Sequence, residues 1–340
     1  MKRRLLPLLC CFFLCAVSPP YAAMAADTVK TIRVSAPAVP QSIALLRLPE
    51  SSSFRETGMK VVFTPCRSPE QMHIFVANRE VDAIIATLPT AAVFSGKGIP
   101  CKVLAVYSAP LWLVSTAPPM PDTPGVSPLD SFMALQGREI LLPFGPGNMP
   151  ELVLQVLAAK SGVNFTMRHC GSSMEAANLL LRGQAAYALL PEPAATLAAS
   201  QKLQTQHISK QLVLKDVWPR VFPGQPSMPT AALIMVGPLA DDPTTCALLR
   251  QNFMEGVSWA ESHPEAALRL AETKYPELGR MLYAAPTLGQ EVFRSLGLLS
   301  EQEGKRAARF MLERLFAISP ASVGGKLPGD DIWEVDDAAQ

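Results

Sequence analysis

Two kinds of apolar pattern alternate along this chain. Short, nearly continuous runs such as "TIRVSA", "VDAIIAT" and "EILLP" read as buried strands, and each gives way to a stretch with apolar residues at helical spacing, as in "SMEAANLLL". Pro, Gly, Ser and Asn mark the joints. Strands alternating with helices of this length predict an α/β fold of open, mainly parallel sheets. The rhythm also repeats: "VVFTPCRSPEQMHIFVANREVDAIIATLPTAA" from Val61 and "FTMRHCGSSMEAANLLLRGQAAYALLPEPAA" from Phe165 align without a gap at an offset of 104, so Cys66 meets Cys170, Ser68 meets Ser172 and Pro89 meets Pro193. A further strand-to-helix unit precedes each copy, "TIRVSAPAVPQSIALLRL" before the first and "REILLPFGPGNMPELVLQVLAAKSGV" before the second.

Two open α/β lobes are therefore expected. The apolar stretches "CKVLAVYSAPLWLVSTAP" and "MPTAALIMVGP" read as the crossings between them, with the Pro-rich "PMPDTPGVSP" after the first. This places residues 26–114 and 237–340 in lobe 1 and residues 115–236 in lobe 2. The helical patterns "TTCALLRQNFMEGVSWAESH", "PEAALRLAETKY" and "QEGKRAARFMLERLFAIS" return to lobe 1. Two lobes joined by two crossings make a hinge with a cleft.

In open α/β sheets ligands sit beyond the carboxyl ends of strands, where helix N-termini present free N–H groups. Lobe 1 offers there Gln41 and Ser42; Thr64, Cys66, Arg67 and Ser68; and Thr87 and Thr90. Lobe 2 offers Gly145, Gly147, Asn148 and Met149; Gly171 and Ser172; and Glu192. In the Gly/Pro loop before Met149 the glycines permit close backbone approach, and Asn148 is placed to cap the following helix; a plain tight turn is the alternative. Arg67 can pair with a carboxylate or sulfonate, or simply be an exposed turn arginine. Glu192 can accept from a ligand amine or cap a helix. Ser172 and Ser173 read as helix caps or ligand contacts, Cys66 and Cys170 as thiols facing the cleft or small buried hydrophobes, and Tyr107, Trp112 and Trp218 as core residues or stacking platforms. The mixture leans towards an anionic or polar small molecule.

The amino end bears on compartment. Lys2, Arg3 and Arg4, the apolar run from Leu5 to Val17 and Ala23-Met24-Ala25 form an export-signal pattern over residues 1–25, which implies a periplasmic protein. A lipid anchor at Cys10, Cys11 or Cys15 ranks second, because none follows the small residues such a signal uses. Residues 1–25 carry three of the 30 basic residues and none of the 29 acidic ones, so the rest has a formal charge of −2. That is no footprint for nucleic acid. Cys66, Cys101, Cys170 and Cys246 are scattered without metal-ligand spacing, so neither a metal nor another cofactor is expected.

The order of these elements, with "GMKV" before the second strand, "VDAIIATLPTAAVFSGKGIP" in lobe 1 and "AAYALLPEPAA" in lobe 2, resembles ABC-transporter substrate-binding proteins of the nitrate, sulfonate, taurine and thiamine-precursor group, over roughly Ile32 to Ser319. The resemblance implies a type II periplasmic-binding-protein fold that closes on a small solute and delivers it to an inner-membrane permease, and binding rather than catalysis; a monomer is the simplest expectation. Glu192 stands in a Glu-Pro pair resembling that group's cleft motif, whereas "SAPAVPQS" lacks the aromatic that many relatives place after the first strand. A receptor feeding a membrane sensor is the alternative on the same fold. An enzyme is the weaker one: no serine lies in G-x-S-x-G, and His169 and Cys170, adjacent on a strand, point to opposite faces and form no dyad.

Overall fold

The computed structural model describes residues 30–116, 127–201, 208–283, 291–294 and 296–333; the expected export signal lies outside the described residues. Lobe 1 is built on a sheet of β1 (Thr31–Ala36), β2 (Lys60–Pro65), β3 (Ala83–Thr87), β4 (Cys101–Tyr107) and β10 (Ala231–Val236), ordered β2-β1-β3-β10-β4. Lobe 2 is built on β5 (Leu111–Ser115), β6 (Glu139–Pro143), β7 (Thr166–Cys170), β8 (Tyr187–Pro191) and β9 (Ser209–Val213), ordered β7-β6-β8-β5-β9. The two sheets share one topology. In each, three strands pair in parallel, and the next is antiparallel to both its neighbours: β10 to β3 and β4, β5 to β8 and β9.

That fourth strand corrects the expected lobe boundaries. β5, placed almost wholly in lobe 1 by a break at 114/115, hydrogen-bonds into the second sheet, and β10, placed in lobe 2 by a break at 236/237, hydrogen-bonds into the first. The first crossing is the short Ser108–Pro110 link, and the return comes before Ala231. A strand buried on both faces reads as a uniform apolar run, which carries no information about the sheet it joins.

Lobe 1 carries α1 (Ser42–Arg47), α2 (Ser52–Glu56), α3 (Pro69–Ala77) and α4 (Leu88–Gly96); lobe 2 carries α5 (Pro128–Met133), α6 (Met149–Ser161), α7 (Ser173–Leu181), α8 (Ala194–Ser200) and α9 (Leu214–Val221). The chain then returns to lobe 1 with α10 (Pro243–Ser262), α11 (Pro264–Lys274), α12 (Pro276–Tyr283) and α13 (Glu301–Ile318). The repeat holds in atomic detail. α3 and α7, and β3 and β8, start at the expected offset, and the helix starts are built alike. Ser68 Oγ accepts from Gln71 N (3.2 Å) and Ser172 Oγ from Glu175 N (3.1 Å). In return, Arg67 N donates to Gln71 Oε1 (2.7 Å) and Gly171 N to Glu175 Oε2 (2.8 Å). Each pair satisfies backbone donors that a helix start otherwise leaves open.

Among the described residues, three apolar clusters hold the molecule. One lies between the first sheet and α1, α10 and α11, with Ile43, Phe253 and Tyr275 fully enclosed. A smaller one lies between the second sheet and α7 and α8. The third runs through both lobes, from Leu88 and Phe94 of α4 through Met311 and Leu315 of α13 to Val153 of α6 and Trp218 of α9. Phe310 of α13 sits edge-on to Trp218 and Phe222, with ring centroids 6.1 and 5.3 Å away. α12 of lobe 1 also meets α8 of lobe 2.

Candidate functional site

On the lobe 1 side, β1 runs into a loop whose polar side chains serve that loop. Ser42 is fully buried and its hydroxyl donates to Pro37 O (2.5 Å), while Gln41 Nε2 donates to Leu296 O (3.0 Å), a residue tied in turn through its N–H to Glu261 Oε1 (2.9 Å). Cys66 is buried with its thiol on Ser68 O (3.1 Å), and burial raises its pKa above the ordinary thiol value. These three expected contact residues therefore have side chains committed to lobe 1 itself. Tyr275, which the sequence pattern gave no reason to single out, lies over the ends of β1 and β2 and donates to Ala36 O and Cys66 O at 3.4 Å each. Arg67 is exposed; Thr64, Ser68, Thr87 and Thr90 are half-buried, and the last two threonine hydroxyls lie 3.1 Å apart.

On the lobe 2 side, Phe144 at φ 69° and Gly147 at φ 83° turn the chain sharply between β6 and α6. The expected cap takes a different form. Asn148 occupies the N-cap position, yet its amide donates back to Gly145 O (2.9 Å) and makes no hydrogen bond to the helix. Glu151 Oε2 accepts from Gly147 N (2.5 Å), just ahead of the helix, and its Oε1 accepts from Gln155 Nε2 (2.9 Å). His169 Nε2 stands 3.4 Å from Glu151 Oε2 without hydrogen-bond alignment. Cys170 turns to the other face of the sheet, against the α7–α8 cluster, as alternation along a strand requires. Met149 is buried in the cluster that both lobes share, while Gly145, Gly147 and Gly171 are exposed and Asn148 and Ser172 half-buried. The backbone N–H groups of Gly147 and Gly171, the first of them in the loop expected to offer free donors, are thus taken by Glu151 and Glu175.

At the end of β8, Glu192 is nearly enclosed. Its Oε2 accepts from Thr196 N (3.1 Å) at the start of α8, and its Oε1 accepts from Lys210 Nζ (2.5 Å). Lys210 also donates to Thr196 Oγ (2.5 Å), and its ammonium sits 4.8 Å from the centre of the Trp112 ring. Lys210 reaches Trp112 because β9 pairs antiparallel with β5, which sets Lys210 opposite Val114. This group forms one wall of a cavity of about 990 Å³ at the hinge. Ser108 and Pro110 of the first crossing, the exposed side of α9, and Gly297 to Leu299 of lobe 1 complete it. Gly297 is required there: at φ 73°, a Cβ would stand 2.5 Å from Ser108 O, and Ser108 N donates to Gly297 O at 2.8 Å. Glu192 is the one expected contact residue among the described lining residues. The others do not line it: the repeat pointed to loops that occur twice, whereas most of the cavity lining, from Ser108 and Pro110 through α9 to Gly297–Leu299, lies outside the repeat.

No family model and no curated protein sequence matches the chain. Solved structures do. An ABC transporter protein from Parabacteroides distasonis superposes with a TM-score of 0.67 at 18% identity, over 89% of this chain and 98% of that one. The periplasmic aliphatic sulphonate-binding protein of Escherichia coli gives 0.64 at 12% identity, over 89% and 90%, and the periplasmic nitrate-binding protein of Synechocystis PCC 6803 gives 0.60 at 14%, over 87% and 84%. The fold is that of the periplasmic substrate-binding proteins. Among the described residues no helix is long and apolar enough to cross a membrane.

Proposed function

We propose that the protein is a periplasmic solute-binding protein that holds a small polar molecule between its lobes and delivers it, as a monomer, to an ABC-transporter permease in the inner membrane. The cavity at the hinge carries this reading: the Glu192–Lys210 pair from lobe 2 and the Gly297–Leu299 backbone from lobe 1 line one space. The half-buried and exposed groups at the strand ends, Thr64, Arg67, Ser68, Thr87, Thr90, Gly145, Asn148 and Ser172, extend that surface as the lobes approach. Between a polar and an anionic solute, the occupied N–H groups of Gly147 and Gly171 favour the polar one.

The test is a thermal-shift screen of the purified protein against sulfonates, nitrate, dicarboxylates, amino acids and pyrimidines. A ligand that binds only the folded state at a hundredfold excess over its Kd adds about 2.7 kcal/mol, which for a chain of this size raises Tm by roughly 4 °C. At least one class is expected to do so, with the shift reduced in Glu192→Gln. A screen with no stabilising compound, or one in which a compound is chemically consumed, overturns the proposal.

A further inference from the structure

We infer that the solute taken at the hinge cavity is an organic zwitterion, carrying an ammonium and a carboxylate as a free amino acid does; the inference rests on the solute-binding reading and narrows it. The charged residues lining the cavity balance. Lys210, Lys215 and Arg220 are matched by Glu192, Asp216 and Glu291, so the formal charge of the described lining is zero. At its most enclosed point stands the Lys210–Glu192 pair, with side chains 23% and 9% exposed. A charge removed from water is costly unless matched, and stripping a partner from an enclosed pair is costlier still.

A solute of one sign entering beside this pair leaves the closed space with a net charge and competes with one member for the other: an anion with Glu192 for Lys210, a cation with Lys210 for Glu192. A zwitterion adds no net charge and lies antiparallel to the pair. The pair has capacity for it. Each Glu192 oxygen has two acceptor positions and gives one, Oε2 to Thr196 N and Oε1 to Lys210; the ammonium has three donors, of which Glu192 and Thr196 take two. The face of Trp112 steadies the ammonium in that position.

Isothermal titration calorimetry of the purified protein with the common amino acids tests this, each binder being compared with its deaminated carboxylate and its decarboxylated amine, and with nitrate and ethanesulfonate as single-sign controls. At least one amino acid is expected to bind about tenfold or more tighter than either of its halves, and Glu192→Gln and Lys210→Gln are each expected to weaken it about tenfold, with folding checked by circular dichroism. An anion or amine binding as tightly as the parent amino acid overturns the inference and leaves the solute-binding reading standing, as does the absence of any amino-acid binder when another class stabilises the protein. If no class stabilises it, both fall.

Discussion

Phe310 offers a direct handle on how tightly the two lobes are coupled. It belongs to α13, which packs on β4 and α4 of lobe 1, yet its ring meets Trp218 and Phe222 of lobe 2 at 6.1 and 5.3 Å, both edge-on. Removing a fully buried phenylalanine ring costs about 3–5 kcal/mol. Phe310 is half-buried and its outer face is covered by the Arg314 guanidinium, so about half of that, roughly 2 kcal/mol, is expected for Phe310→Ala, including ring pairs of about 0.5–1.5 kcal/mol each. Taken from a contact between lobes, 2 kcal/mol shifts the balance of closed and open forms about thirtyfold. Small-angle scattering of the ligand-free protein should then show a larger radius of gyration, and any bound solute should dissociate faster. Phe253→Ala is the control, since Phe253 is buried wholly within the lobe 1 cluster: it should lower Tm without altering the dimensions. If Phe310→Ala lowers Tm and leaves the scattering unchanged, the ring stabilises its own helix and the coupling argument is wrong.

Two further predictions concern stability. Asp242 accepts from Thr245 N at the start of α10 and from Lys30, and the Lys30 ammonium with the Thr245 donors lowers its pKa from 3.8 to about 2. A depressed carboxyl contributes stability that is fully present above its unfolded pKa and is lost as pH falls from about 4 to about 2. Because the pair is solvent-exposed, about 1 kcal/mol is expected, so Asp242→Asn should lower Tm by about 1.5 °C at pH 7 and by almost nothing at pH 2. Ser68→Ala and Ser172→Ala each remove a matched cap, and each should cost about 1 kcal/mol in denaturant titration; a cost at one site and none at the other would show that the two helix starts are alike in form only.

The parts of the fold legible in the sequence are those set by neighbours along the chain. The Ser172 cap, the helices of the repeat and the strands that follow depend on spacings of a few residues, and the offset of 104 aligns Ser68 with Ser172. What was not legible depends on distant pairing. Lys210 lies on the Trp112 ring only through the β5–β9 register, and Gln41 faces Leu296 across most of the chain. Helix starts also mislead locally: Asn148 stands in capping position, but its amide turns back to Gly145 O and makes no hydrogen bond to the helix. The crossings were recognisable as apolar runs, while the sheet each one joins was settled by hydrogen bonding.

The exchanged strands set the order in which the molecule can be completed. All five strands of lobe 2 lie in one unbroken segment, from Leu111 to Val213. Lobe 1 has no such independence: β4 pairs with β10 alone among the strands, and the bridges from Tyr107 to Leu298 and from Val103 to Trp333 draw on residues later still. A nascent chain halted before Ala231 would leave β3 and β4 with bare edges, the kind that recruit other chains. The half made first is thus the last to be sealed, and a holdase that guards unfinished strands would find its client there.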